Sequence, residues 1–268
     1  LTLVIGSGGM GAATIHAAVQ KARQNLESDF DNYTKFILVD SDWREIARME
    51  KEQVEVLNIS TPGASDRLRK ENRGDFFKKF VHPDYDVIKL GPNGSARDRV
   101  TGKIKFYDNA EGGSTNDVKF RNIIQTIFNT DWSDKTNLRV DVMILAGLSG
   151  GNGSGTFEEL AVHAREACRR AGATEVRVFG YLFLPDTVEA FERENLEALK
   201  SIYINGYSAL KELESYMSIP ASPGRGEEFY SRDGAITIEC NDANRLFDYP
   251  ILISGTYEES IRMMADLI

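Results

Sequence analysis

The chain has 268 residues, 41% of them hydrophobic and 27% charged, with a formal net charge of −9. That length and composition suit one large globular α/β domain, and the acidic balance argues against general binding to nucleic acid or to an anionic membrane. Two cysteines, Cys168 and Cys240, and three dispersed histidines, His16, His82 and His163, supply neither a disulfide framework nor a metal cluster. No stretch resembles a signal peptide or a transmembrane run, so the expected location is the cytoplasm. Leu1 lies inside an apolar run and Ile268 inside a helical pattern; the chain reads as a fragment of a longer protein.

Leu1 to Ile5 has the unbroken apolar character of a buried parallel strand. It feeds Gly6-Ser7-Gly8-Gly9-Met10-Gly11, a literal G-x-G-x-x-G, and then an alanine-rich helix from Ala12 to Ala22. In that context the motif is either a dinucleotide- or phosphate-binding turn or a glycine turn that packs helix on strand. Phe36 to Val39 is the second strand, ending in Asp40-Ser41-Asp42 before a helix that starts at Trp43. Asp40 either holds a ribose or caps that helix, and its distance from the glycines exceeds the ~20 residues usual in dinucleotide-binding enzymes.

Lys51 to Gly74 is polar and carries the turn Thr61-Pro62-Gly63, so it reads as a mobile surface excursion. Asp75 to Val81 is a candidate short helix and Val87 to Leu90 a candidate strand. Gly91 to Arg97 follows as a Gly/Ser/Asn loop containing Gly94 and Ser95, with Arg97 and Arg99 at its end; it is either a surface loop or a lid over a terminal phosphate with an Arg near it. Lys103 to Tyr107 reads as a short extended piece, and Asp117 to Phe128 as an amphipathic helix.

The stretch with the strongest signal is the apolar run Val140 to Leu145, which stops abruptly at Gly147-Leu148-Ser149-Gly150-Gly151-Asn152-Gly153-Ser154-Gly155. A helical pattern to Arg170 follows, with Gly172 as its stop signal. A buried strand that delivers glycines to a helix N-terminus can hold a phosphate by backbone N–H groups and the helix dipole. The loop has no lysine and does not fit G-x-x-x-x-G-K-[ST], so any phosphate is held mainly by backbone. Val176 to Leu184 is the next strand, followed by Pro185 and by long helical structure from Val188 to about Met217, broken near Gly206. Ser218 to Asp233 reads as loop; Ala235 to Ile238 and Ile251 to Ile253 as the last strands; and Thr256 onward as a helix that reaches Ile268. This alternation implies an open, mostly parallel Rossmann-like sheet with helices on both faces and ligands at the carboxyl ends of its strands.

Together these loops resemble those of the tubulin/FtsZ superfamily of GTPases. The family signature GGGTG[ST]G is matched by SGGNGSG at Ser149 to Gly155, with Ser149 and Asn152 as the two departures. The first loop resembles the FtsZ loop GVGGGGGN, and Asp40 to Ile46 the FtsZ segment NTDAQAL. Pro185, Glu189 and Arg193 keep the spacing of PFxFEGxxR, whose Glu and Arg contact the nucleotide's sugar and base side; on the bare sequence Glu189 and Arg193 are equally an i, i+4 helix pair.

The final helix is similar to the family's central helix, and Tyr257 matches its base-stacking aromatic. The usual asparagine is not in place, leaving Glu258, Glu259, Asn241, Asp242 and Asn244 as candidates to read the base edge. The resemblance therefore implies a divergent bacterial tubulin-like protein that binds GTP or GDP with Mg²⁺. Residues 1–268 form its nucleotide-binding domain, ending in the central helix without a C-terminal domain. Asp42 either positions metal-bound water or caps a helix.

Head-to-tail self-assembly is the implied partner relation, with no direct nucleic acid or membrane contact. The catalytic acids are expected beyond Ile268, acting on a neighbouring subunit's nucleotide. Two other functions fit the sequence: an NAD(P)-dependent Rossmann enzyme, supported by the first glycine motif and Asp40, and a nucleotide-gated interaction module that does not polymerise.

Overall fold

Buried strands that are apolar on both faces dictate the architecture of the computed structural model, which describes residues 1–24, 30–62, 77, 81–82, 94–95, 97–108, 113–133, 136–218, 227–230, 237–240 and 245–268. The main sheet has six strands, all parallel, in the order β3-β2-β1-β4-β5-β8. These are β1 (Thr2–Ser7), β2 (Thr34–Asp40), β3 (Glu55–Asn58), β4 (Arg139–Gly147), β5 (Glu175–Phe183) and β8 (Tyr249–Ile253). Along β1, Leu3 and Ile5 face one core while Val4 faces the other, as the period of two in a strand requires.

The first core is covered by α4 (Arg99–Tyr107), α5 (Asn116–Thr130), α6 (Asn152–Arg170) and the buried side of α8 (Leu196–Ser218). The second is covered by α1 (Gly8–Gln24), α3 (Trp43–Lys51) and α9 (Tyr257–Leu267). Two short helices, α2 (Phe30–Tyr33) and α7 (Asp186–Glu189), complete the helical elements among the described residues. β6 (Glu227–Tyr230) and β7 (Thr237–Cys240) pair antiparallel as a separate two-stranded sheet.

Register places the functional loops. Gly6 pairs with Leu38 on one side and Leu145 on the other, and Ser7 with Val39 and Ala146. The carboxyl ends of β2, β1 and β4 are therefore level, and the segments that leave them open side by side at one edge.

Four expectations change. Lys51 to Gly74 is not wholly an excursion: Glu55–Asn58 pairs with Ile37–Asp40 as the edge strand β3, while residues 63–74 lie outside the described residues. Lys103 to Tyr107 is helical, because the Asp98 carboxylate caps α4 by accepting from Val100 N at 3.0 Å and Thr101 N at 3.3 Å. Burial of Ile104, Phe106 and Tyr107 then overrides their alternating, strand-like pattern.

The third change is at Gly206, which does not break α8; the helix approaches Pro185 so closely there that a Cβ would collide with the proline ring. Lastly, the stretch read as loop from Ser218 contains β6, and the strand expected at Ala235–Ile238 lies at Thr237–Cys240 in the small sheet. The candidate strand Val87–Leu90 and most of the candidate helix Asp75–Val81 fall outside the described residues.

Candidate functional site

A cavity of about 780 Å³ opens at the carboxyl ends of the strands, where ligands bind in open parallel sheets. Its floor is Ser7, Gly8, Gly9 and Met10 from the β1–α1 junction and Gly147, Ser149, Gly150, Gly151, Asn152 and Gly153 from the β4–α6 junction. Asp40 and Asp42 at the end of β2, and Gly94, Ser95 and Arg97 before α4, form one wall. Phe191 and Glu192 after α7, with Tyr257 at the start of α9, also line it. The N-termini of two long helices, α1 and α6, thus meet at one cavity, bringing their unpaired N–H groups and dipoles together.

The glycines divide by what surrounds them. A Cβ built on Gly9, Gly94 or Gly150 meets nothing within 4 Å, so the backbone there is open to the cavity. Gly6 and Gly11 serve packing instead. A Cβ on Gly6 would lie 2.8 Å from Gly11 O, and one on Gly11 2.7 Å from Gly6 Cα. Neither lines the cavity, and the pair lets α1 lie against β1.

Gly151 and Gly153 line the cavity and are also tightly packed, with built Cβ atoms 2.5 Å from the Ser95 side chain and 2.7 Å from Gly147 O. Gly155 sits one turn inside α6 against the Arg99 backbone, away from the cavity. Gly8 alone of the first motif has a left-handed φ, +68°, and it starts α1 four residues before the expected Ala12.

Asn152 ties the walls together. Its amide donates to Asp40 Oδ1 at 2.6 Å and to Ser41 Oγ at 3.1 Å, and its Oδ1 accepts from Ser95 Oγ. An asparagine has the donor and acceptor on one head group that this double role needs. Ser7 Oγ and Thr156 Oγ1, 2.8 Å apart, join the two glycine segments. Ser154 is buried and donates to Gly150 O rather than facing the cavity.

Arg99 donates to Ser154 O at 2.9 and 3.1 Å and to Glu212, so it braces α6 against α8. Arg97 pairs with Glu192 across the cavity rim, and Asn205 of α8 holds Arg97 O at 2.7 Å and Ser149 O at 3.0 Å.

Asp40 is buried and accepts from Ser41 N at 2.6 Å, Asp42 N at 3.1 Å and Asn152, all at Oδ1; its Oδ2 has no hydrogen-bond partner. Burial pushes its carboxyl up to about 6, against those hydrogen bonds. Asp42 caps α3, its carboxylate accepting from Arg44 N at 2.9 Å, and it also lines the cavity.

Some expected site residues stand elsewhere. Glu189 accepts from Tyr203 Oη at 2.6 Å and does not line the cavity, nor does Arg193; Glu192, three residues on, takes the place at the wall. Pro185 packs on Gly206. Gly91 and Asn241 lie outside the described residues, as do Asp242 and Asn244.

Sequence reasoning missed Glu45, Val188, Phe191, Glu192 and Ile202 as lining residues. It also missed Lys105, which is buried and donates to Gly94 O beneath the wall. The Asp98 cap was the signal that could have turned Lys105 onto a helix.

The family model described as "Tubulin like" matches residues 3–256. Among solved structures the chain is similar to a TubZ protofilament from Bacillus thuringiensis serovar israelensis, with 13% identity over 99% of this chain and 49% of that one, TM-score 0.47. It is also similar to FtsZ of M. jannaschii, with 15% identity over 80% of this chain and 42% of that one, TM-score 0.41. CetZ2 of Haloferax volcanii shows 16% identity over 79% of this chain and 56% of that one, TM-score 0.36. The chain spans about half the length of these structures. No curated protein matches it by sequence.

Proposed function

This chain belongs to the tubulin-like family, and on that footing we propose that it binds a guanine nucleotide and assembles head-to-tail with copies of itself. The observation that carries the reading is the meeting of two helix N-termini at one cavity, with open backbone at Gly9, Gly94 and Gly150. That arrangement suits a chain of phosphates held by N–H groups without a P-loop lysine. The same cavity is lined by Tyr257 and Phe191, whose rings meet edge to face at 5.1 Å. Phosphates at the glycine end and a base against Tyr257 would fill it. Glu192 and Glu45 also line the cavity, paired with Arg97 and Arg48, and their remaining acceptor capacity could serve sugar hydroxyls or base N–H groups.

Among the described residues no group of three or more His, Cys, Asp or Glu side chains could hold a metal. Mg²⁺ would therefore enter with the nucleotide, and the Asp42 carboxylate fits contact through water. When bound, the ion neutralises phosphate charge. The chain's own part is to orient the phosphates through Gly8–Met10 and Gly150–Gly153 and to fix these backbones through Asn152 and Arg99. Phosphoanhydride hydrolysis is completed by acidic groups of a neighbouring subunit. The protein works in the cytoplasm; no helix among the described residues is long and apolar enough to cross a membrane.

Two measurements test this. Nucleotide released on denaturing the purified protein should be GDP or GTP, and recovery of an adenine nucleotide or NAD would overturn the guanine reading. Light scattering should rise on adding GTP with Mg²⁺; an unchanged signal with nucleotide bound would leave a gated module in place of a filament protein.

A further inference from the structure

Neither glycine segment contains a lysine, yet an ammonium lies directly under the cavity wall. Lys105, on α4, is fully buried, donates from Nζ to Gly94 O and lies 3.5 Å from Ser41 Oγ. Ser41 is in turn joined to Asn152, which holds Asp40. Asp40 lines the cavity and carries a buried oxygen with no hydrogen-bond partner. A carboxylate in that place would repel any phosphate bound above it, and at short range inside a protein such a repulsion is large.

We propose that Lys105 is an electrostatic positioning residue of the nucleotide site, cancelling the Asp40 carboxylate beneath the bound phosphates and holding the Gly94–Ser95 wall through the Gly94 carbonyl. The proposal rests on the reading of the cavity as a nucleotide site. Lys105 does not touch the ligand; it acts through Asp40, Ser41 and Gly94.

The charged groups around it are otherwise engaged. From the turn after β2, Asp42 caps α3. From the segment before α4, Arg97 pairs with Glu192, and Asp98 caps α4. On α4 itself, Arg99 binds Glu212, and Lys103 meets Glu159 of α6 at 2.6 Å and Glu158 at 3.6 Å. From α5, Asp117 binds Arg121 at 3.0 Å while Asn116 donates to the Lys105 carbonyl at 2.7 Å. From α3, Glu45 pairs with Arg48.

Asp40 is thus the carboxylate whose field acts on Lys105, whose ammonium burial lowers to about 8 while that field partly restores it. Asp40 itself ionises above about 6. Between those values both groups are charged and cancel.

The test is the pH profile of GTP affinity, by calorimetry in Mg²⁺, for the natural protein and for the K105M, D40N and K105M/D40N variants. The natural protein should lose affinity only above about 8, where Lys105 gives up its proton. K105M should already be weaker at neutral pH, by about tenfold, as expected for one uncovered unit charge near an anion. It should recover as acid protonates Asp40.

The double variant should show neither break, whereas D40N should keep the Lys105 break, moved below about 8 because the Asp40 field no longer supports the ammonium. The nucleotide's own phosphate titrates near about 6 in all four proteins alike and cancels in the ratios. Should K105M not fold, the double variant carries the test, because neutralising both groups should restore folding and an affinity like that of the natural protein at neutral pH. A K105M loss that is the same at every pH and persists in the double variant would overturn the proposal while leaving nucleotide binding intact. Absence of GTP binding by the natural protein would overturn both.

Discussion

The side-chain amide of Asn152 donates to the Asp40 carboxylate at 2.6 Å across 112 residues of chain. This bond joins the start of α6 to the end of β2, and the same side chain reaches Ser95 in the segment before α4. One residue thereby fixes three loops that the sheet register only brings near one another.

Replacing Asn152 by Ala should therefore cost about 1–3 kcal/mol of stability, the range for leaving buried polar partners unsatisfied. GTP affinity should fall with it. Urea denaturation and calorimetry on the same preparation check both, and an unchanged midpoint would show that the three loops are held without it.

The glycines should separate in experiment as they do in space. Gly150→Val adds bulk where nothing lies within 4 Å; it should leave the thermal midpoint near that of the natural protein and abolish GTP binding. Gly6→Ala places a methyl 2.7 Å from Ile15 Cδ1 and 2.8 Å from Gly11 O and should destabilise by about 1–3 kcal/mol. A Gly150 variant that binds GTP normally would remove the glycine cradle from the account.

Much of this was legible beforehand. β1, most of β2 and the carboxyl halves of β4 and β5 are apolar runs because parallel strands covered on both faces leave no polar side there, and helices must then alternate with them. The convergence of Gly8–Met10, Asp42 and Gly150–Gly153 on one cavity follows from that topology. The division of labour among glycines was not legible. Gly9 facing open space and Gly11 facing Leu145 O look alike in a sequence.

Lys105 was hidden by the alternation of Lys103-Ile104-Lys105-Phe106-Tyr107, which has a strand's period while the Asp98 cap and burial make it helical. The exchange of Glu189 for Glu192 at the wall turns on α7 ending at Glu189, a boundary that residue spacing does not reveal.

Asp40 sets a pH dependence of known sign. Its folded value of about 6 lies above the ordinary 3.8, so the folded state binds its proton more tightly. The stability this contributes is fully present below the ordinary value and is lost as pH rises through about 6. At most about 3 kcal/mol is involved. Urea midpoints of the natural protein should fall between about pH 4 and about pH 6 relative to those of Asp40→Asn, and parallel curves would contradict the burial assigned to this carboxylate. Lys105, lowered to about 8, acts with the opposite slope, and the stability it removes returns above that value.

Tyr257 should act on the base alone. Tyr257→Ala is expected to weaken GTP by about tenfold, the order of one aromatic stacking contact, and to leave inorganic triphosphate affinity unchanged. Competition titrations with both ligands distinguish this from a general collapse of the cavity, in which both affinities would fall together.

The central claim is a guanine-nucleotide site built from two helix N-termini. The most direct measurement is calorimetric titration of the purified, nucleotide-stripped protein with GTP, ATP and NAD in Mg²⁺. The account predicts saturable binding of GTP, with ATP and NAD at least about tenfold weaker, a difference of about 1.4 kcal/mol. Equal affinities for the three, or no binding of GTP, would contradict it.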